Sequence, residues 1–212
     1  MKVGVWADAK KILGEENVVD PQKVDKYLNI VFPVKIFEQL SETLASNLNI
    51  LKGLNGSHSL FLGLPWDPKG NELKLLKMGE LYKTANIPWH HSNYFDGTDE
   101  TSNRICNFGL YLVPHQIPED TFCKTFDEAV QLIKSPVECP SAIEVLCFDL
   151  QPRMINKKPL LADKAVLCKD EPGKDLKVVV EFKALSIDVQ LVHKGIAGSE
   201  VGILPMRKLS ID

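Results

Sequence analysis

Residues 34–64 read VKIFEQLSETLASNLNILKGLNGSHSLFLGL, and two different periods meet inside them. Phe37, Leu40, Leu44, Leu48 and Leu51 recur every three or four positions, the spacing of one helix face. Lys35, Glu38, Gln39, Glu42, Ser46 and Asn49 occupy the rest of the surface. The pattern predicts a helix over 34–51, about 27 Å long at 1.5 Å per residue, with Gly53 as its stop. After Gly56 the period becomes two. Leu60, Leu62 and Leu64 alternate along 58–64, as in a strand with one buried face. A helical segment followed by strands points to an α+β fold.

Upstream of this junction the chain is helical. Val5, Ala9, Ile12 and Leu13, with Trp6 beside them, form a stripe that Gly14 ends. Asp20-Pro21 marks a helix start: an aspartate N-cap, then a proline where no amide is needed. Val24, Tyr27, Leu28 and Val31 follow at helical spacing, and Pro33 breaks the run. Residues 1–56 therefore read as a helical segment and 57–212 as a β-rich α+β domain, the two forming separate units or one continuous domain.

Downstream, Asp67-Pro68-Lys69-Gly70 suits a type I turn that returns a hairpin through Leu73 and Leu75. The period of 72–84 fits strand or helix equally. Residues 104–113 read as a strand, with Cys106, Phe108, Leu110 and Leu112 on one face. Thr125 and Glu128 make a capping box for one further helix, carried by Phe126, Ala129, Val130 and Ile133, that lies on the sheet and ends before Pro136. Ile143, Val145 and Cys147 alternate with Ala142, Leu146 and Phe148, which reads as a central strand buried on both faces. Pro172-Gly173 is a turn signal joining 161–168 to 176–184. In the latter, Val178, Val180 and Phe182 point inward, and Lys177, Glu181 and Lys183 outward. Inward positions change from even to odd after Ala184, which predicts a bulge or bend near 184–186. A last strand falls near 201–204. The expected architecture is α+β: an N-terminal helical segment packed with a mostly antiparallel or mixed β-sheet, plus one further helix.

Composition narrows the function classes. The chain has 212 residues, 44% hydrophobic, enough to bury a core without disulfides. Its net charge of −3 and pI of about 6.0 lack the basic footprint of a nucleic-acid binder, so no nucleic acid is expected. The second predicted helix carries Glu38 and Glu42 against Lys35, the wrong sign for phosphate. No apolar run approaches the ~20 residues of a membrane helix, so no membrane partner is expected. No targeting signal is legible. Five cysteines with no C-x-x-C spacing fit reduced thiols and a cytoplasmic location. Nucleotide-loop and serine-nucleophile motifs do not occur.

The densest chemistry lies in Trp89–His115, WHHSNYFDGTDETSNRICNFGLYLVPH. Trp89, Tyr94 and Phe95 are candidate binding aromatics, since rings with polar tips favour interfaces; they also commonly close a core. His90, His91, Asp96 and Asp99 are candidate ligands for a divalent metal, joined by Glu100 and by His58 or His193. Adjacent histidines on a strand face opposite ways, so one at most serves a given site. The plain alternative is a surface strand end. A calcium loop at Asp96, Thr98 and Glu100 lacks the glycine and glutamate such loops need. Cys106 and Cys147 sit in apolar runs, where thiols are usually core residues. The sequence names no cofactor beyond that divalent metal. It is read as an intracellular binding or assembly protein with a protein partner or self-association. The alternatives are a metal-dependent hydrolase using the 90–100 loop and a small-ligand-binding domain with its pocket between sheet and helices.

Overall fold

The computed structural model describes residues 4–54, 56–183 and 185–210. In chain order these form α1 (Gly4–Leu13), α2 (Pro21–Leu28), α3 (Val34–Lys52), β1 (His58–Gly63), α4 (Leu75–Thr84), β2 (Trp89–His91), α5 (Glu100–Asn103) and β3 (Gly109–Pro114). There follow α6 (Phe126–Leu132), α7 (Ala142–Asn156), β4 (Lys164–Leu167), β5 (Leu176–Phe182), β6 (Ile187–His193), β7 (Val201–Gly202) and β8 (Arg207–Leu209). The fold is α+β, with N-terminal helices packed against antiparallel and mixed sheets. Among the described residues no helix is long and apolar enough to cross a membrane.

The local signals act where they stand in the chain. Asp20 accepts the Lys23 amide at 2.7 Å and starts α2. Thr125 and Glu128 bond each other's amides and start α6. Asp67 closes the turn by accepting the Lys69 and Asn71 amides at 2.8 and 2.9 Å. α3 buries Leu40, Leu44 and Leu51, and the Trp6 indole of α1 donates to Ser41 on it at 3.0 Å.

The strands form two sheets. A three-stranded antiparallel sheet has the order β1-β3-β8, and a mixed five-stranded sheet the order β2-β6-β5-β4-β7. In the mixed sheet β2 is parallel to β6 and β4 is parallel to β7. α7 lies between the two sheets, touching β1 of one and β5 of the other, with α2 and α4 against its sides.

α7 is the main departure from the sequence reading, which made 142–148 a strand. Every residue from Ala142 to Arg153 is buried. A helix covered on all sides loses its polar face, so its sequence shows no 3.6-residue period and mimics a buried strand. The signal that separates the two is Ser141-x-x-Glu144. Glu144 accepts the Ser141 amide at 2.8 Å and its hydroxyl at 2.7 Å, a capping box at the helix start.

Other readings change too. The 67–70 turn returns the chain only to the Trp66–Glu72 bridge and the Leu73 amide, after which α4 replaces the expected hairpin strand. The strand expected over 104–113 is confined to Gly109–Pro114. Lys177, expected to face solvent, is 2% exposed. α6 covers that face of β5, so Lys177 lies 3.5 Å over the Phe126 ring and pairs with Glu171. In place of the bulge or bend expected near 184–186, β5 and β6 pair as an antiparallel hairpin. Phe182 pairs with Ile187, and the Lys183 amide donates to the Ser186 carbonyl at 3.0 Å. Cross-strand partners share a face, so pairing 182 with 187 carries the inward positions from even to odd. Ala184 itself lies outside the described residues, as does Asn55 of the 53–56 loop.

Candidate functional site

The aromatic and acidic residues of 89–103 hold their own loop together. Trp89 stacks on buried Tyr82 at 5.6 Å and 18°. It also covers Gly79, where an added Cβ would fall 2.7 Å from the indole nitrogen, which explains a glycine inside α4. Phe95 is buried. Tyr94, 41% exposed, sets its ring edge-on to Phe95 and donates its hydroxyl to the Pro172 carbonyl. Asp96 accepts the Thr98 amide at 2.8 Å and its hydroxyl at 2.6 Å, and these bonds lower its carboxyl below the usual range. Asp99 caps α5 by accepting the Ser102 amide at 2.8 Å.

The histidines are dispersed. His90 and His91 are exposed on β2 at the edge of the mixed sheet, beside a shallow hollow of about 450 Å³ that Asp188 and Gln190 also line. Asp188 is held by Lys183. His58 opens β1 of the other sheet and His115 follows the end of β3; they bond Ser57 and Ser59 at 2.8 and 2.9 Å. The His193 ring accepts the Gly195 amide at 3.2 Å. Among the described residues, no group of three His, Cys, Asp or Glu side chains is placed to hold a metal ion. Cys106, Cys147 and Cys168 are buried. A hydrogen bond with Cys147, then burial, pushes the Cys106 thiol up; burial does the same for Cys168.

The concave surface lies elsewhere, where α7 emerges from the core. Its last turn, Met154 to Asn156, is half-buried between α2 and α4. A hollow of about 360 Å³ is bounded there by Tyr27 and Leu28 of α2, Leu81 and Thr84 of α4, and Met154. Asn29, left-handed at φ 55°, ends α2 at its rim. A second hollow of about 460 Å³ shares Tyr27 and extends to Lys10, Lys23, Ile155 and Asn156. A third, about 360 Å³, shares Thr84 and Met154 and is closed by Asn86, Ile87, Arg153 and Lys157. The shared residues make one groove; its central hollow has an apolar floor of Leu28, Leu81 and Met154 and a charged rim that includes Asp67, Lys69, Lys77 and Glu80.

A buried ion pair underlies the third hollow. Asp149, fully buried, accepts from Arg153 Nε at 2.5 Å and from the Leu160 amide at 2.8 Å. The Tyr82 hydroxyl lies 3.1 Å from Asp149 Oδ2 and 2.8 Å from the Leu146 carbonyl. Burial pushes the Asp149 carboxyl up, against the pull of Arg153, and pushes the Tyr82 phenol up as well. Arg153 Nη2 is buried without a hydrogen-bond partner among the described residues. Sequence reasoning missed Arg153. The Asp149–Arg153 spacing of four is a helical ion-pair signal, but the strand assigned to 142–148 hid it.

A second buried carboxylate sits at the other end of α7. Asp170 accepts the Ala142 amide at 2.6 Å and lies 2.9 Å from Arg104. Burial raises its carboxyl above the usual range. The folded protein therefore keeps a proton that the unfolded chain releases near pH 4. This contribution to stability is complete below that pH and is lost as pH rises through the folded-state value. The stability of wild type minus that of Asp170→Asn should fall as pH rises above about 4, by at most about 1.4 kcal/mol per pH unit. Denaturant titrations of both proteins at rising pH check this; a difference that grows with pH contradicts it.

Comparison of the chain with protein-family models, with curated proteins and with solved structures gives no match in any of the three.

Proposed function

We propose that this protein acts by binding, and that its ligand is a small organic molecule seated in the groove over the last turn of α7. The observation that carries this reading is the central hollow of about 360 Å³ with Leu28, Leu81 and Met154 in its lining. Ligand pockets are concave, mainly apolar and about 300–1,000 Å³, with a few polar groups for orientation. Thr84 is exposed and belongs to two of the three hollows, so a large side chain there fills the groove without entering the core. Compounds that raise the Tm of the wild-type protein in a thermal-shift screen should fail to raise that of Thr84→Trp. A compound set that stabilises both proteins equally, or neither, counts against the groove.

A separate observation favours a protein partner or a second copy. Val31 and Val34 are 69% and 70% exposed. They adjoin Phe32, whose ring lies 6.0 Å from Trp66 and 6.2 Å from Phe108, both half-buried. Contiguous exposed apolar surface commonly marks interaction sites. Under this reading, sedimentation should show a concentration-dependent dimer that V31D/V34D abolishes. A monomer at every concentration removes self-association.

A further inference from the structure

Resting on the groove reading, we infer that the ligand is an amphipathic monocarboxylate, its head at Arg153 and Lys157 and its apolar body over Met154. Two observations carry this. The hollow at the Arg153 end has both cations in its wall, and no carboxylate lines it among the described residues. The Arg153 side chain is 6% exposed, and its Nη2 has no partner among the described residues. A buried guanidinium N–H without an acceptor costs free energy, and a charged acceptor is the group that best relieves it. Asp149 engages only Nε, which leaves the outer edge of the guanidinium for a second acceptor. Nη2 is covered from solvent, so the head group reaches it by displacing side chains of the wall. Lys157 is exposed and sits in a left-handed conformation after the last turn of α7.

The same place argues for one negative charge rather than two. α4 and α7 both end at this hollow, and helix C-termini carry partial negative charge. Lys157 Nζ is turned back onto the Met154 carbonyl at 3.0 Å. That field opposes any anion and opposes a phosphate dianion about twice as strongly as a carboxylate, so a single charge is the better match. The apolar body follows from connectivity, because Thr84 and Met154 join this hollow to the one lined by Leu28 and Leu81.

Isothermal titration with octanoate, octanol, octyl phosphate and acetate tests this, with amide NMR shifts to locate each site. Octanoate should bind and shift amides around Leu81, Met154 and Lys157. Octanol should bind at least about tenfold more weakly, the usual worth of one charge-assisted hydrogen bond. Acetate, with no tail, should not bind measurably. Lys157→Glu should weaken octanoate and leave octanol unchanged. Arg153→Met alone strands Asp149, so D149N/R153M, checked for folding by circular dichroism, is the second variant. It should discriminate less between octanoate and octanol than wild type does, with Lys157 keeping the remaining preference. Equal affinity of wild type for octanoate and octanol overturns the carboxylate while leaving the groove as a ligand site. Tighter binding of octyl phosphate overturns the choice of head group. Octanoate binding that survives T84W, or no binding of any probe, overturns this inference and the groove reading together.

Discussion

Gln151→Leu should lose about 2–4 kcal/mol of folding stability, because it orphans the buried Leu62 amide of β1 and leaves the Leu62 carbonyl only the weak Cys147 thiol donor. Leu62 lies at the sheet position where β1 turns its outer edge toward α7. Gln151 Oε1 accepts the Leu62 amide at 3.1 Å, and Nε2 donates to the Leu62 carbonyl at 2.7 Å. Nε2 also reaches the Cys147 carbonyl at 2.9 Å. One side chain thus replaces a neighbouring strand. Two residues earlier the same edge is served by backbone, where the Val19 amide donates to the Leu60 carbonyl at 2.9 Å. Leucine has similar volume and opens no large cavity, so the cost isolates the hydrogen bonds. Each orphaned buried group costs about 1–3 kcal/mol. Guanidinium titration should show a lower midpoint with an unchanged slope. A loss under 1 kcal/mol would show that β1 finds another partner.

The second large effect concerns the ion pair beneath the groove. Arg153→Met should cost about 3–5 kcal/mol, because it leaves the Asp149 carboxylate buried without a countercharge. The cost comes from the stranded charge more than from the lost attraction. D149N/R153M removes both charges. Its asparagine keeps an oxygen for the Leu160 amide and an NH₂ for Tyr82, so the double variant should return to within about 1–2 kcal/mol of wild type. Comparing both single variants with the double gives the coupling energy directly. If the double is as unstable as Arg153→Met alone, the guanidinium matters through its packing rather than its charge. Either way, recovery in the double variant permits the ligand test to be read in a folded protein.

The candidate loop shows how far composition carries a site argument. Trp89, Tyr94, Phe95, Asp96 and Asp99 stand out in the sequence as dense chemistry, and each has a structural task in the fold. Trp89 packs on Tyr82 and Gly79, Tyr94 latches to Pro172, and the two aspartates close a turn and cap α5. Those partners are up to 78 residues away, so residue type alone does not distinguish a binding aromatic from a latch. The groove has the opposite history. Tyr27, Leu81, Met154 and Arg153 belong to three helices, and none is conspicuous in its own neighbourhood of the chain.

What the sequence by itself determined are features whose energetics close within about one helical turn. The Asp20 and Thr125 caps, the Asp67–Gly70 turn and the amphipathic stripe of α3 stand where local chemistry puts them. The change from helical to alternating period at Gly56 likewise carries the α+β class. Periodicity did not show that 142–156 is a helix, because burial on every side erases the period that would announce it and leaves the Ser141–Glu144 capping box as the local signal. Lys177 went inside for a similar reason: α6, some fifty residues earlier, supplies the ring that covers it. The division of the strands into two sheets, and the groove left where α7 emerges, depend on contacts between distant segments. Such contacts are stable only once the chain between them has folded, and no short window of sequence contains both sides.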